Sequence, residues 1–173
     1  MLEEWRPVKN YEGLYEVSNF GNVRSLNRVV QNGKNKNTMK GRIILQHVNP
    51  DGYLVAHLCK QSKEIVYKTH TLVWDAFGDR PRNGHKLQVD HVDNNKQNCR
   101  IDNLQLLTNR INCSKNKKSK YGTPTGVELL PSGRFSARIR IKSEQRYLGS
   151  FNTSEEASKI YQQTIYNLNE VSI

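Results

Sequence analysis

The sequence predicts an α+β chain built from small modular units. These are an N-terminal antiparallel β region, a central strand–loop–strand–helix unit, and a C-terminal three-stranded sheet with a helix. Three observations predict this. Residues 1 to 69 hold short β-prone runs cut by glycine turns, the hydrophobic period then switches to that of a helix, and the apolar supply is thin. Only 35% of the 173 residues are apolar, and mean hydropathy is −0.79, which suits several modest cores better than one large one.

In the first unit (1–69), Tyr15–Ser18, Val23–Leu26, Arg42–Val48, Tyr53–Leu58 and Ile65–Lys68 read as strands. Gly13, Gly21, Gly33 and the Pro50-Asp51-Gly52 turn separate them. Trp5, Tyr11, Tyr15 and Val17 are expected to form a small core. From His70 to Phe77 the residues Leu72, Val73, Ala76 and Phe77 share a helical face, which Gly78 and Pro81 end.

The second unit (70–118) continues with strands at about Lys86–Asp90 and Leu104–Leu107. A helix follows with Thr108 as N-cap, running through Arg110, Ile111 and the lysines beyond. Residues 119–124 read as a linker. In the last unit (125–173), Phe135, Ala137, Ile139 and Ile141 alternate with Arg134, Ser136, Arg138, Arg140 and Lys142. Period two assigns the apolar set to one face and the basic set to the other. Thr153 with Glu156 forms a capping box that opens a helix to about Tyr166.

Charge narrows the function. Lys and Arg number 27 against 16 Asp and Glu, a net charge of +11 and a pI near 9.7. The charge is segregated. Val17 to Pro50 contains no acid but holds Arg24, Arg28, Lys34, Lys36, Lys40 and Arg42. Asn103 to Val127 again lacks acids and holds Arg110, Lys115, Lys117, Lys118 and Lys120. Stretches of this kind are the footprint of phosphate contacts, with double-stranded DNA as the expected partner. Cys59, Cys99 and Cys113 form no Cys-x-x-Cys pair, so neither a zinc ribbon nor a disulfide framework is expected, and reduced thiols, buried or half-buried, are the default. No apolar run reaches spanning length and no signal pattern opens the chain, so a cytoplasmic protein without a membrane partner is expected.

The chemistry-bearing stretch is Val89-Asp90-His91-Val92-Asp93-Asn94-Asn95-Lys96, followed by Asn103-Leu104 and Thr108 to Asn112. Hydrolysis of a phosphodiester needs an activated water, stabilisation of charge at phosphorus, and help for the leaving oxygen. A neutral imidazole takes the proton, and one hard divalent cation held by carboxylate and amide oxygens serves the rest. Asp90 and His91, facing Asn112 in the next helix, supply this set. Their convergence requires the chain to leave β geometry at that point. Asn103 is expected to hold the loop through its amide. Asp93 is either a ligand or the head of an Asx turn, and His70 is expected to cap or pack.

Lys86 to about Asn116 resembles the HNH, or ββα-metal, nuclease motif in its phage homing-endonuclease form. The resemblance rests on Asp90, His91, Asp93, Asn95, Asn103, Leu104, Thr108 and Asn112. Cys99 departs from it, standing beside Asn98 where a second loop asparagine belongs. The resemblance implies His91 as general base, Asp90 and Asn112 as metal ligands, and Asn103 as the central structural asparagine. It implies Mg²⁺, with Mn²⁺ able to substitute, and no zinc. Trp5-Arg6-Pro7-Val8 and the run from Tyr11 to Ser25 resemble the short modular motif that precedes many such nucleases. Gly126 to about Tyr161 is similar to an Apetala-type DNA-binding domain, in which a three-stranded sheet enters the major groove.

Together these imply a site-directed DNA endonuclease acting as a monomer with no obligate protein partner, one active site nicking one strand. The DNA-contacting residues expected are Arg24, Arg28, Arg110, Lys115, Lys117, Arg134, Arg138, Arg140 and Arg146. Two rivals share these residues: a DNA-binding regulator with an inactive nuclease unit, and a restriction or repair nuclease of the same chemistry.

Overall fold

A computed structural model describes residues 1–32, 35–84, 86–115, 117–119 and 122–170. Lys34 and Lys120 of the basic stretches, Gly33 of the turns, and residues 120–121 of the expected linker lie outside these. The chain forms two compact units, one from Met1 to Leu106 and one from Leu107 onward. The boundary expected between residues 69 and 70 falls inside the first unit.

In the first unit, β1 (Trp5–Pro7), β2 (Tyr15–Ser18) and β3 (Val23–Ser25) form an antiparallel sheet in the order β1-β2-β3. Next come β4 (Arg28–Asn32) and β5 (Asn35–Met39), a two-stranded ribbon that the sequence reading missed. Its residues are largely polar and exposed, so no apolar alternation marks it. A second sheet follows from β6 (His47–Val48), β7 (Leu54–Lys60) and β8 (Lys63–Lys68), again antiparallel and in sequence order. The strand expected over Arg42–Val48 shrinks to β6 plus one bridge between Arg24 and Ile43. Its apolar side chains Ile43 and Leu45 are exposed.

Helix α1 (Thr69–Phe77) buries Leu72, Val73 and Trp74, and Gly78 donates its N–H to the Trp74 carbonyl at 2.8 Å to end it. Then come β9 (Leu87–His91) and β10 (Leu104–Thr108), which pair in a two-stranded sheet with a 3-10 turn at Ile101–Asn103 leading into β10. One core joins the two three-stranded sheets, α1 and β10: Tyr11, Tyr15, Val17 and Val23 pack with Ala56, Leu58, Leu72, Val73, Trp74, Cys99 and Leu104. Trp5 is not part of that core. It stays half-exposed, with the Arg24 guanidinium 4.2 Å over its ring.

Cys99 explains its own departure from the expected asparagine. It is 2% exposed and lies against Gly21, where an added Cβ would come within 2.9 Å of the Cys99 Cβ. Gly21 also has φ +89°, so a side chain there is excluded twice. Burial pushes the Cys99 thiol up to about 12. Cys59 and Cys113 are exposed, contrary to the expectation of buried or half-buried thiols.

The second unit contains α2 (Asn109–Lys115), the strands β11 (Val127–Leu129), β12 (Phe135–Ile141) and β13 (Glu144–Phe151), and α3 (Ser154–Glu170). The sheet order is β11-β12-β13, antiparallel throughout. The capping box forms: Glu156 donates its N–H to Thr153 Oγ1 at 3.2 Å, and Glu156 Oε2 accepts from the Thr153 N–H at 3.4 Å. Helix α3 packs Ala157 on Val127 and Ala137, and Tyr161 and Ile165 on Ile139, Leu107 and Ile111. Gly126 allows this approach, since a Cβ there would meet the Tyr161 ring at 2.2 Å.

The expected face separation on β12 is incomplete. Ser136, on the polar side, is fully buried. Its row pairs with Glu128 on β11 and Ser150 on β13. Arg138 reaches Glu128 at 3.1 Å and Arg134 donates to the Ser150 carbonyl at 2.7 Å. Two long side chains of that row are therefore held by partners on the neighbouring strands.

Candidate active site

The site is built around the end of β9. The strand ends on His91, and the chain turns away from β geometry directly after it, at Val92. Successive strand side chains face opposite ways, and Asp90 and His91 have different surroundings. Asp90 is half-buried, and its Oδ2 accepts from Gln105 Nε2 on the paired strand β10 at 2.9 Å. His91 is 3% exposed and packs edge-to-face on His70, with ring centroids 4.9 Å apart. Tyr53 completes the cluster, its centroid 5.1 Å from His70 and 6.2 Å from His91.

The loop after His91 is organised by amides. Asn103, buried, donates from Nδ2 to Asp93 Oδ1 and to the Asn98 carbonyl, both at 2.9 Å, and its Oδ1 accepts from the Asp93 N–H at 3.1 Å. Its carbonyl accepts from Val92 N at 2.8 Å. Asp93 forms an Asx turn with the Asn95 N–H at 2.8 Å and receives Asn98 Nδ2 at 2.7 Å. Hydrogen bonds from Asn98 and Asn103 hold the Asp93 carboxyl below its ordinary range. These hydrogen bonds of Asp93 all serve to order this loop.

Asn112 lies on α2, half-buried, in the second unit. Thr108 Oγ1 accepts from the Ile111 N–H at 3.5 Å at the start of that helix. Among the described residues no three His, Cys, Asp or Glu side chains gather as metal donors. The donors expected from sequence, the Asp90 carboxylate and the Asn112 amide, would offer oxygen ligands of the kind that suits a hard dication.

The sequence reading passed over His70 as a packing residue and did not see what it packs against. It is 4% exposed, at the start of α1, and among the described residues Nδ1 has no hydrogen-bond partner. Burial, aided by His91, Lys68 and Arg82, drives it down to about 3. An imidazole depressed in the folded state stabilises the fold above its unfolded value of about 6.5, and that stability is lost as pH falls toward 3. Between about pH 8 and pH 5 the first unit should lose about 2 kcal/mol through this group. Urea midpoints for the wild type and His70→Phe check it. The wild type should lose that much more than the variant, and equal losses would refute it.

The basic residues expected to meet DNA differ in how freely they are presented. Arg24 pairs with Glu16 across the strands at 2.6 Å, and Arg28 lies 5.5 Å over the Tyr15 ring. Arg110 donates to the Arg140 carbonyl at 2.6 Å. Arg134 and Arg138 are tied down on the sheet as described. Lys115 is half-exposed in the last turn of α2, while Lys117, Arg140 and Arg146 are exposed.

Comparison with known proteins places these residues in context. The NUMOD4 motif matches residues 3–59, and the HNH endonuclease family matches residues 67–113. The chain is 35% identical over 109 residues to the DNA endonuclease I-HmuI of Bacillus phage SP01, covering 63% of this chain and 55% of that one. It is 29% identical over 107 residues to the H-N-H endonuclease F-TflII of Escherichia phage T5, covering 62% and 49%. The solved structure described as DNA binding and cleavage by the HNH homing endonuclease I-HmuI aligns with TM-score 0.52 at 34% identity. That alignment covers 65% of this chain and 56% of the other. The chain thus spans about half the length of the curated relatives it matches. Neither family match extends past residue 113, so the likeness of the C-terminal sheet to an Apetala-type domain has no counterpart among them.

Proposed function

We propose that the chain is a site-directed DNA endonuclease of the homing type, on the match of the HNH endonuclease family to residues 67–113 and of the NUMOD4 motif to residues 3–59. The observation that carries the reading is the Asp90-His91 pair at the end of β9, followed by a loop locked on Asn103. Homology to two phage endonucleases supports it.

His91 takes a proton from water as the water oxygen bonds to phosphorus. The bond from phosphorus to the 3′ oxygen breaks, leaving a 5′-phosphate and, once that oxygen gains a proton, a 3′-hydroxyl. Asp90 and Asn112 would hold one divalent ion, Mg²⁺ or Mn²⁺, which when bound supplies charge stabilisation at the phosphate and the leaving oxygen. Gln105 fixes the Asp90 carboxylate, and Asn103 fixes the loop that leads away from His91. His70 and Tyr53 hold the His91 ring.

We take residues 1–69 as a DNA-gripping module, 70–118 as the cutting module and 125–173 as a second grip of Apetala type, joined by 119–124. The acid-free basic stretches and the exposed Arg140 and Arg146 on the C-terminal sheet support this division. One site per chain makes the product a nick from a monomer. Among the described residues no helix is long and apolar enough to cross a membrane, and the phage relatives favour action in the cytoplasm of a bacterial or phage-infected cell.

A supercoiled plasmid library with Mg²⁺ tests the activity. Nicked circles bearing ligatable 5′-phosphate ends, absent with a chelator, are expected. Plasmid that stays supercoiled in both Mg²⁺ and Mn²⁺ would favour the regulator reading.

A further inference from the structure

We propose that Lys68 and Lys96 together clamp one backbone phosphate of the DNA beside the reaction centre, on a platform formed by the Tyr53 ring. Three separate segments bring this about. Tyr53 follows the Pro50-Asp51-Gly52 turn, Lys68 ends β8, and Lys96 sits in the loop after β9. The Lys68 ammonium lies 3.9 Å from the Tyr53 ring centroid and the Lys96 ammonium 4.7 Å from it. The two charges are therefore no more than about 9 Å apart. The same ring packs on His70 and faces His91 at 6.2 Å.

The platform is anchored. Lys96 Nζ donates to the Asp51 carbonyl at 2.8 Å, and the Lys96 carbonyl accepts from the Leu54 N–H at 3.5 Å. The β-turn and the catalytic loop are thus stitched together at this lysine. Both lysines are exposed, and among the described residues neither meets a carboxylate. An aromatic face attracts each ammonium without neutralising it. Two like charges on one ring repel, and an anion placed between them relieves that repulsion. A phosphodiester has two non-bridging oxygens, one for each ammonium. So close to His91, the diester in question belongs to the strand being cut or to its immediate neighbour.

The proposal rests on the nuclease reading for the identity of the polyanion, and its test separates the two. DNA affinity is measured without metal, as a function of salt, on a random-sequence duplex of about 40 base pairs. Wild type is compared with Lys68→Gln/Lys96→Gln and with Lys68→Arg/Lys96→Arg. Each neutralised phosphate contributes about 0.9 to the slope of log affinity against log salt. The Gln pair should lower that slope by about one, and the Arg pair should restore it. In single-turnover plasmid nicking at saturating protein, the Gln pair should be slower by at least about tenfold. An unchanged slope in the Gln pair overturns the clamp whether or not the protein nicks. A reduced slope with a wild type that never nicks upholds the phosphate site and refutes the nuclease.

Discussion

Replacing His91 with alanine should lower the nicking rate by about 10²–10⁴-fold while leaving DNA affinity within a few-fold. That range is what a positioned general base contributes. The prediction is sharp because the side chain makes no claim on DNA affinity. It is 3% exposed and stacks on His70, so its loss leaves the basic surfaces intact. The same burial means that alanine opens a cavity, and the volume-conserving His91→Gln separates the two effects. Gln should restore the thermal midpoint but not the rate. Loss of binding in step with cleavage, or recovery of nicking by Gln, would make His91 a structural residue.

The second large effect is expected at Asn103. Its amide makes three hydrogen bonds that hold the loop from Val92 to Asn98, and alanine leaves the Asp93 N–H and the Asn98 carbonyl to find new partners. Stranded polar groups of this kind cost about 1–3 kcal/mol each. Asn103→Ala should therefore lower the thermal midpoint of the first unit by about 10 °C or more. Nicking should fall at least about 100-fold, because Asp90 and His91 lie at the near end of that loop. Asn103→Asp should not rescue it, since a carboxylate would face the Asp93 carboxylate already in place. Calorimetry together with plasmid nicking reads both effects, and a variant that melts and cuts like the wild type would remove Asn103 from the account.

The sequence made much of this visible, for identifiable reasons. The strands β2, β7 and β12, the helix α1 and the capping box of α3 each carry a period or a cap set by local chemistry, so they read directly. The β4–β5 ribbon does not, because Val29 and Met39 are exposed, Val30 is only half-buried and its other residues are polar. It has no buried face to impose alternation. The Asp-His pair, Asn103 and Asn112 stand in the sequence as a spaced pattern, and the structure joins the first three through β9 and the loop after it. The partners that hold them are not legible there. Tyr53 and His70 reach His91 across 38 and 21 residues of sequence, and nothing local in a tyrosine after a turn or a histidine at a helix start announces such a contact. The burial of Ser136 was hidden likewise, since alternation alone assigns it to the polar row of β12.

The most direct test of the account is a crystal of the protein with duplex DNA and Mn²⁺, read by the anomalous signal of the metal. The account predicts one ion about 2.1 Å from an Asp90 oxygen and from the Asn112 amide oxygen, touching a phosphate. The His91 imidazole should lie within hydrogen-bond reach of a water in line with the 3′ oxygen. An ion held by other residues, or a His91 ring still sealed against His70 with no path to the phosphate, would contradict it.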